Sequence, residues 1–252
     1  MRVRTSDMIE RIEVAFFPSA VPVGLLGSAV VVIDVLRATT TIVHALENGA
    51  RAIVPCLEPD DAIAVRHRLG RAGVLLGGER DSTRIAGFDL DNSPASYTAE
   101  ICRDAVIAFT TTNGTRALQR VANAGASTIF CGALRNRHAI VEALEATGAK
   151  NVLLVCAGNE GDISLEDLLC AGAIAYVAAV RSPGTVLSDG ARAAALAFRM
   201  SAARLTDAIA TGSHAQTLAA KGFLDDILLA AKIDASDVVP IYRDGEIRIH
   251  AA

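Results

Sequence analysis

A chain of 252 residues, 52% of them hydrophobic, carries enough apolar material to bury a large core, which excludes disorder as its organising principle. Lys and Arg (24) nearly balance Asp and Glu (28) for a net charge of -4, so no basic field awaits nucleic acid and any anion selectivity must come from a local cluster. Aromatics at 4% with no Trp supply no stacking platform for bases or sugars, which leaves a small polar ligand as the better fit.

The N-terminal stretch Met1 to Ile12 intersperses Arg2, Arg4, Asp7, Glu10 and Arg11 and lacks the continuous apolar run of a secretory signal, so a cytoplasmic protein is expected. Short β-branched or apolar runs with little alternation follow at 14–17, 30–35, 52–56, 74–76, 105–109, 128–131 and 152–156, the pattern of strands buried on both faces. Segments with apolar residues at three- and four-residue spacing separate most of them, at 40–48, 60–71, 114–124 and 135–147, each ending near a glycine. From Ser164 the pattern becomes helix after helix, at 165–180, 190–204, 213–221 and 224–232. An extended pair at 238–242 and 246–250 then brackets Asp244-Gly245, a hairpin turn signal. The most apolar stretch, 168–180, falls short of the about 20 residues that cross a bilayer and reads as a buried helix.

This order predicts an α/β fold: three layers, α/β/α, around a largely parallel or mixed sheet, with a helix-rich C-terminal part. One domain over 1–252 accommodates it, divisible into an α/β lobe to about residue 160 and a helix-rich lobe with a terminal hairpin over about 161–252. The apolar C-terminal helices supply either core or a homodimer surface. Five widely spaced cysteines (Cys56, Cys102, Cys131, Cys156, Cys170) without a CxxC pair read as buried free thiols.

Four segments carry candidate chemistry, mostly on loops that leave strand ends. In the first, a buried strand delivers Asp34 and Arg37, followed by Thr39, Thr40 and Thr41 at a helix start. A carboxylate there suits Mg²⁺, which prefers hard oxygen ligands, and helix capping is the plain alternative for Asp34 and the threonines. The second runs from Gly77-Gly78-Glu79-Arg80-Asp81 to Gly87-Phe88-Asp89-Leu90-Asp91-Asn92-Ser93-Pro94, acidic and basic residues beside glycines, and reads otherwise as a solvated loop whose end starts the next helix.

The third segment, Thr110-Thr111-Thr112-Asn113-Gly114-Thr115-Arg116, lies where a strand passes into a helix. Backbone N–H groups at a helix start, hydroxyl donors and a guanidinium make it the best phosphate cradle in the chain, although it is neither a Walker loop nor a dinucleotide fingerprint. The fourth, Ser164-Leu165-Glu166-Asp167, has the form of a capping box and also offers two carboxylates for a metal. A thiolate-phosphatase reading of Cys156 fails because no Arg follows before Arg181. Leu36 stands where a haloacid-dehalogenase-type aspartyl route from Asp34 needs a second Asp. The histidines His44, His67, His138, His214 and His250 are scattered and read as surface or structural groups.

Taken in order, Ile33-Asp34-Val35-Leu36-Arg37-Ala38-Thr39-Thr40, Gly78-Glu79-Arg80, Gly87-Phe88-Asp89-Leu90-Asp91-Asn92-Ser93-Pro94, Thr111-Thr112-Asn113-Gly114-Thr115-Arg116 and Ser164-Leu165-Glu166-Asp167 resemble the 2-phosphosulfolactate phosphatase family. The resemblance implies an α/β/α enzyme that uses Mg²⁺ to hydrolyse 2-phosphosulfolactate to sulfolactate and inorganic phosphate, a step of coenzyme M synthesis in methanogens. Asp91 stands where the pattern leads one to expect a small residue. On this reading Asp34, Glu79 and one of Glu166 or Asp167 hold the metal, and Asp34 and Asp167 take part in catalysis. Asp89 handles a proton or positions water, and Arg37, Thr39, Thr40, Arg80 and the Thr111–Arg116 loop (Thr111, Thr112, Asn113, Gly114, Thr115, Arg116) bind substrate. A phosphatase for another small 2-phospho-hydroxy acid and a non-catalytic anion-binding protein are the competing readings.

Overall fold

The computed structural model describes residues 9–70 and 73–250, and in it the apolar runs form strands near their expected places. These are β1 (Arg11–Ala15), β2 (Ala29–Ile33), β3 (Ala52–Cys56), β4 (Val74–Arg80), β5 (Thr83–Arg84), β6 (Val106–Thr110), β7 (Thr128–Gly132), β8 (Asn151–Cys156), β9 (Val186–Leu187), β10 (Pro240–Arg243) and β11 (Glu246–Ile249). The helices are α1 (Ala38–Glu47), α2 (Pro59–Leu69), α3 (Ala99–Cys102), α4 (Gly114–Asn123), α5 (Arg137–Ala146), α6 (Leu165–Arg181), α7 (Asp189–Ser201), α8 (Leu205–Ala210), α9 (Ser213–Ala220) and α10 (Leu224–Ala230). Arg71, the last residue of the helix expected over 60–71, lies outside the described residues. Residues 77–80, expected to be loop, continue β4 because they pair with β6 on one side and turn back into β5 on the other.

All eleven strands belong to one sheet in the order β5-β4-β6-β3-β11-β10-β7-β2-β8-β1-β9. One parallel block is β4-β6-β3, the other β7-β2-β8-β1-β9, and the antiparallel hairpin β10–β11 is inserted between them. Three successive antiparallel pairings make the two blocks run in opposite senses. Twist of roughly 20–25° per strand accumulates between β6 and β2 and rotates one block against the other. The ends of β2, β4 and β6 nevertheless border one cleft.

Strand β2 explains the layering. Ala29, Val31 and Ile33 face a core shared with α5, α6 and α7, while Val30 and Val32 face a second core shared with α1 and α4. Successive side chains of a strand point to opposite faces, so an unbroken apolar run requires cover on both sides. A third cluster packs α2, through Ala62 and Val65, onto the outer face of β3, β4 and β6. The helix-rich segment after Ser164 is as expected, and all five cysteines are buried and unpaired. Among the described residues no helix is long and apolar enough to cross a membrane.

Candidate active site

The cleft, of about 380 Å³, is lined from four directions: by Asp34 and Arg37 after β2, by Glu79 and Ser82 around the end of β4, by Thr111–Asn113 after β6, and by His214, Thr217 and Lys221 of the α9 segment. Leu36, Asp81, Asn92, Ser213 and the Asn159–Ile163 loop after β8, with the carboxylates of Glu160 and Asp162, also line it. Of the expected site residues, the structure brings together Asp34, Arg37, Glu79, Thr111, Thr112 and Asn113.

Asp34 is buried, and the Ala38 N–H donates to its Oδ1 at 3.1 Å. Burial pushes its carboxyl up to about 6; the His214 charge and the Ala38 hydrogen bond work against that rise, and Glu79 and Glu166 add to it. Its Oδ2 lies 2.7 Å from where a Cβ on residue 114 would sit, so only glycine there lets the start of α4 close on Asp34. Glu79 clamps two loops: its Oε1 accepts from Thr112 N–H (2.8 Å) and Thr112 Oγ1 (2.9 Å), and its Oε2 from Ser82 N–H (2.8 Å).

Arg37 is 3% exposed and rigidly held. Its Nη1 donates to Asp226 Oδ2 at 2.8 Å, its Nη2 to the Ser82 carbonyl at 2.9 Å, and its guanidinium stacks 4.2 Å above the Phe223 ring. Asp226 in turn accepts from Ser93 Oγ at 2.6 Å, which ties the NSP turn to α10.

Other expected site residues are engaged elsewhere. Arg80 donates to the carbonyls of Glu79 and Leu57 and to Thr110 Oγ1, and Arg116, mostly exposed, faces Glu58 at 3.5 Å; neither lines the cleft. Asp89 accepts from Arg66 and from Leu76 N–H, which fixes the loop after β5 to β4 instead of presenting a carboxylate to the cleft. The Thr39 and Thr40 hydroxyls donate to the carbonyls of Asp34 and Val35, and Thr115 Oγ1 to that of Thr111, so these three back-bond to the chain in the manner of helix starts. Asp91 caps the turn at Pro94–Ser96 by accepting from Ser93 N–H and Ser96 Oγ, each at 2.9 Å, so its charge is spent locally.

The two carboxylates of the α6 start lie behind the cleft wall. Asp167 joins two strand-end loops, accepting from Val35 N–H at 2.7 Å and Gly158 N–H at 3.1 Å. Burial, with Asp34 and Glu166 nearby, holds its carboxyl well above the usual range despite those two donors. Glu166 is 1% exposed, and neither of its oxygens has a hydrogen-bond partner among the described residues. His214 Nδ1 lies 3.2 Å from its Oε1, an ion pair when the imidazole is protonated. Burial works to lower the His214 pKa, but the carboxylates of Glu166 and Asp34 outweigh it and hold the imidazole above its ordinary value.

Sequence reasoning missed His214, Lys221 and Asp226. A lone histidine on an amphipathic segment carries no spacing signal, and Asp226 acquires its meaning only when α10 docks on Arg37.

The profile of the family described as 2-phosphosulpholactate phosphatase matches residues 16–245. A "Probable 2-phosphosulfolactate phosphatase" of Symbiobacterium thermophilum is 42% identical over 224 residues, 88% of this chain and 94% of the relative. Proteins of the same description from Caldanaerobacter subterraneus subsp. tengcongensis and Synechocystis are each 39% identical, over 87% and 88% of this chain and 89% and 92% of their own lengths. With the profile spanning every strand-end loop of the cleft and these relatives covering 87–88% of the chain at about 40% identity, the chain belongs to the 2-phosphosulpholactate phosphatase family.

Proposed function

We propose that this cleft hydrolyses 2-phosphosulfolactate to sulfolactate and inorganic phosphate, and that it does so with Mg²⁺. The observation that carries the reading is the pairing of two buried strand-end carboxylates, Asp34 and Glu79, with the Thr111–Asn113 loop at the start of α4, all on one cleft.

The donor set fits the ion. Mg²⁺ is held by one or two carboxylates together with water and substrate phosphate oxygens, and does not need an all-protein cage. Among the described residues no group of three or more His, Cys, Asp or Glu side chains is arranged to hold a metal by itself. Asp34, whose Oδ1 is fixed by Ala38 N–H while Oδ2 takes no hydrogen bond among the described residues, and Glu79, whose orientation is set by three N–H and O–H donors, are the residues that would hold it. When bound, the ion neutralises charge on the phosphoryl oxygens.

The chain's own groups do the rest. Asn113, at the positive end of the α4 dipole, and the Thr111 hydroxyl offer donors to phosphate oxygens, while Thr112 holds Glu79 in place. Glu166 turns His214 Nδ1 towards itself, which leaves Nε2 as the nitrogen for a ligand in the cleft. As the ester P–O bond breaks, the bridging oxygen leaves with the electron pair and takes the Nε2 proton. The attacking water forms the new P–O bond and releases its proton to solvent. Asp167 touches no reacting atom; it positions the loops that carry Asp34 and Gly158.

The test is phosphate release from 2-phosphosulfolactate by the purified protein with Mg²⁺ and with EDTA. Release that requires the metal supports both parts of the reading; release in EDTA removes the metal from it, and no release from folded protein removes the substrate.

A further inference from the structure

Helix α7 is apolar on two sides. Its inner face packs Ala191, Ala194, Ala195 and Phe198 into the core, and it lies so close to α6 that a Cβ on residue 172 would sit 2.0 Å from the Ala194 carbonyl oxygen. A helix at the surface of a globular domain ordinarily turns polar residues outward, and one that is apolar all round is covered. The outward face of α7 instead carries Ala193, Leu196 and Met200, with Ala203 in the turn that continues it, and Leu196 is 53% and Met200 86% exposed. Steps of three, four and three residues separate these four, the spacing of a seam by which one helix packs along another.

Helix α6 widens the seam. Tyr176 and Val180, one turn apart, are exposed as well, and the Arg199 guanidinium lies 5.6 Å over the Tyr176 ring, which sets the two apolar rows side by side. Beyond Asp189, the first residue of α7, the charge along this helix has one sign. Arg192 and Arg199, one heptad apart, flank the seam, and neither has an acidic partner among the described residues. Neighbouring arginines are paired, Arg181 with Glu145 and Arg204 with Asp207, so the unmatched charge belongs to the seam itself. No residue of α7 lines the cleft.

We infer that the outward face of α6 and α7 docks an amphipathic helix of another protein, one whose apolar stripe lies along Leu196 and Met200 and whose flanking residues are acidic. The charges select this occupant. Opposite charges across a contact speed encounter and fix register, whereas like charges set face to face are costly. A second copy of this chain seated here about a two-fold axis would place the unpaired arginines of both copies beside a single seam. Relief selects a helix over a lipid surface: small Ala193 and Ala203 alternate with Leu196 and Met200, which leaves holes beside knobs for the side chains of a facing helix to fill in register.

The test follows the fluorescence anisotropy of a labelled peptide of three heptads, with leucine at the seam positions and glutamate beside them, as the full-length protein is added. A counterpart with lysine in place of glutamate is titrated in parallel, each at a concentration where the peptide alone is monomeric. The acidic peptide should bind at least about tenfold more tightly than the basic one, and added salt should narrow the gap. Leu196→Ser with Met200→Ser should weaken binding of the acidic peptide by about tenfold or more, and Arg192→Glu with Arg199→Glu should reverse the preference between the peptides. All four side chains are exposed, so melting curves of the variants should match the wild type. No binding of either peptide, equal binding of both, or binding that survives the serine variant would overturn the proposal. So would sedimentation showing a dimer that the serine variant dissociates, which gives the face to a second copy, or phosphatidylglycerol vesicles that compete the acidic peptide off the face, which gives it to a membrane.

Discussion

Asp34 is kept in a place where its charge is unwelcome. A folded-state pKa of about 6 against an ordinary 3.8 means that the native protein binds more protons than the unfolded chain between those values. Stability from this group therefore falls as pH rises through that window, and above about pH 6 the full penalty, on the order of 2–3 kcal/mol, is present. Asp34→Asn keeps an oxygen for the Ala38 N–H and removes the charge. It should abolish turnover and raise the melting temperature at pH 8 in EDTA, with the gain disappearing near pH 4. Added Mg²⁺ should stabilise the wild type and not the variant; equal metal-induced shifts in both would place the ion elsewhere. His214 gives a second prediction at this scale. If its Nε2 proton goes to the leaving oxygen, His214→Gln should lower kcat by about 10²–10³-fold. The loss should be much smaller with an aryl phosphate whose leaving group needs no proton. The wild-type alkaline limb should lie above the ordinary imidazole pKa and be absent from the variant. Equal losses on both kinds of substrate would make His214 structural. Asp34 and Glu79 were legible in the sequence because each ends an apolar strand run. Arg80 and Arg116 looked equivalent to Arg37, yet side-chain direction, which no spacing encodes, turns them to Glu58 and to backbone carbonyls.

Among the elements, α9 and α10 finish a site that the strand ends begin. The Arg37–Asp226 pair, with side chains 2% and 3% exposed, joins the β2–α1 loop to α10. Buried pairs add little net stability, but breaking one strands a charge, so Asp226→Ala should cost about 3–5 kcal/mol. Replacing both partners by apolar residues, Arg37→Met with Asp226→Leu, should restore most of the stability read by denaturant unfolding while leaving the enzyme with weakened substrate binding. A double variant no more stable than Asp226→Ala would show that the pair's value lies in its hydrogen bonds to Ser82 and Ser93. The helices themselves were readable from three- and four-residue spacing, with ends misplaced by a few residues. The short pieces α3, α8, β5 and β9 were not, since they are held by neighbours and are too brief to carry a period. Nor did spacing reveal that the α9 turn overlooks the cleft, because Lys221-Gly222-Phe223 reads as an ordinary helix stop.

At the scale of the molecule, the terminal hairpin is the join. Sequence alternation around Asp244-Gly245 announced β10 and β11, but a hairpin at the end of a chain is expected at a sheet edge, and only long-range pairing places it between two parallel blocks. Its hold on the first block is slight in backbone terms, one described pairing of Ile247 with Ile53, so side-chain packing must supply the connection. Ile247 is fully buried and shares a core with Val30 and Val32 of one block and Ile53, Ile107 and Phe109 of the other. Removing its side chain leaves a cavity at the seam, and Ile247→Ala should cost about 2–5 kcal/mol. Because the cleft draws Asp34 from one block and Glu79 and Thr112 from the other, activity should fall with the same denaturant midpoint as global structure, in one transition. If hydrogen exchange instead shows one block opening at lower free energy than the other in Ile247→Ala, the blocks are separate cooperative units. The cleft would then come apart at the hairpin before either half unfolds, and turnover would be lost ahead of secondary structure.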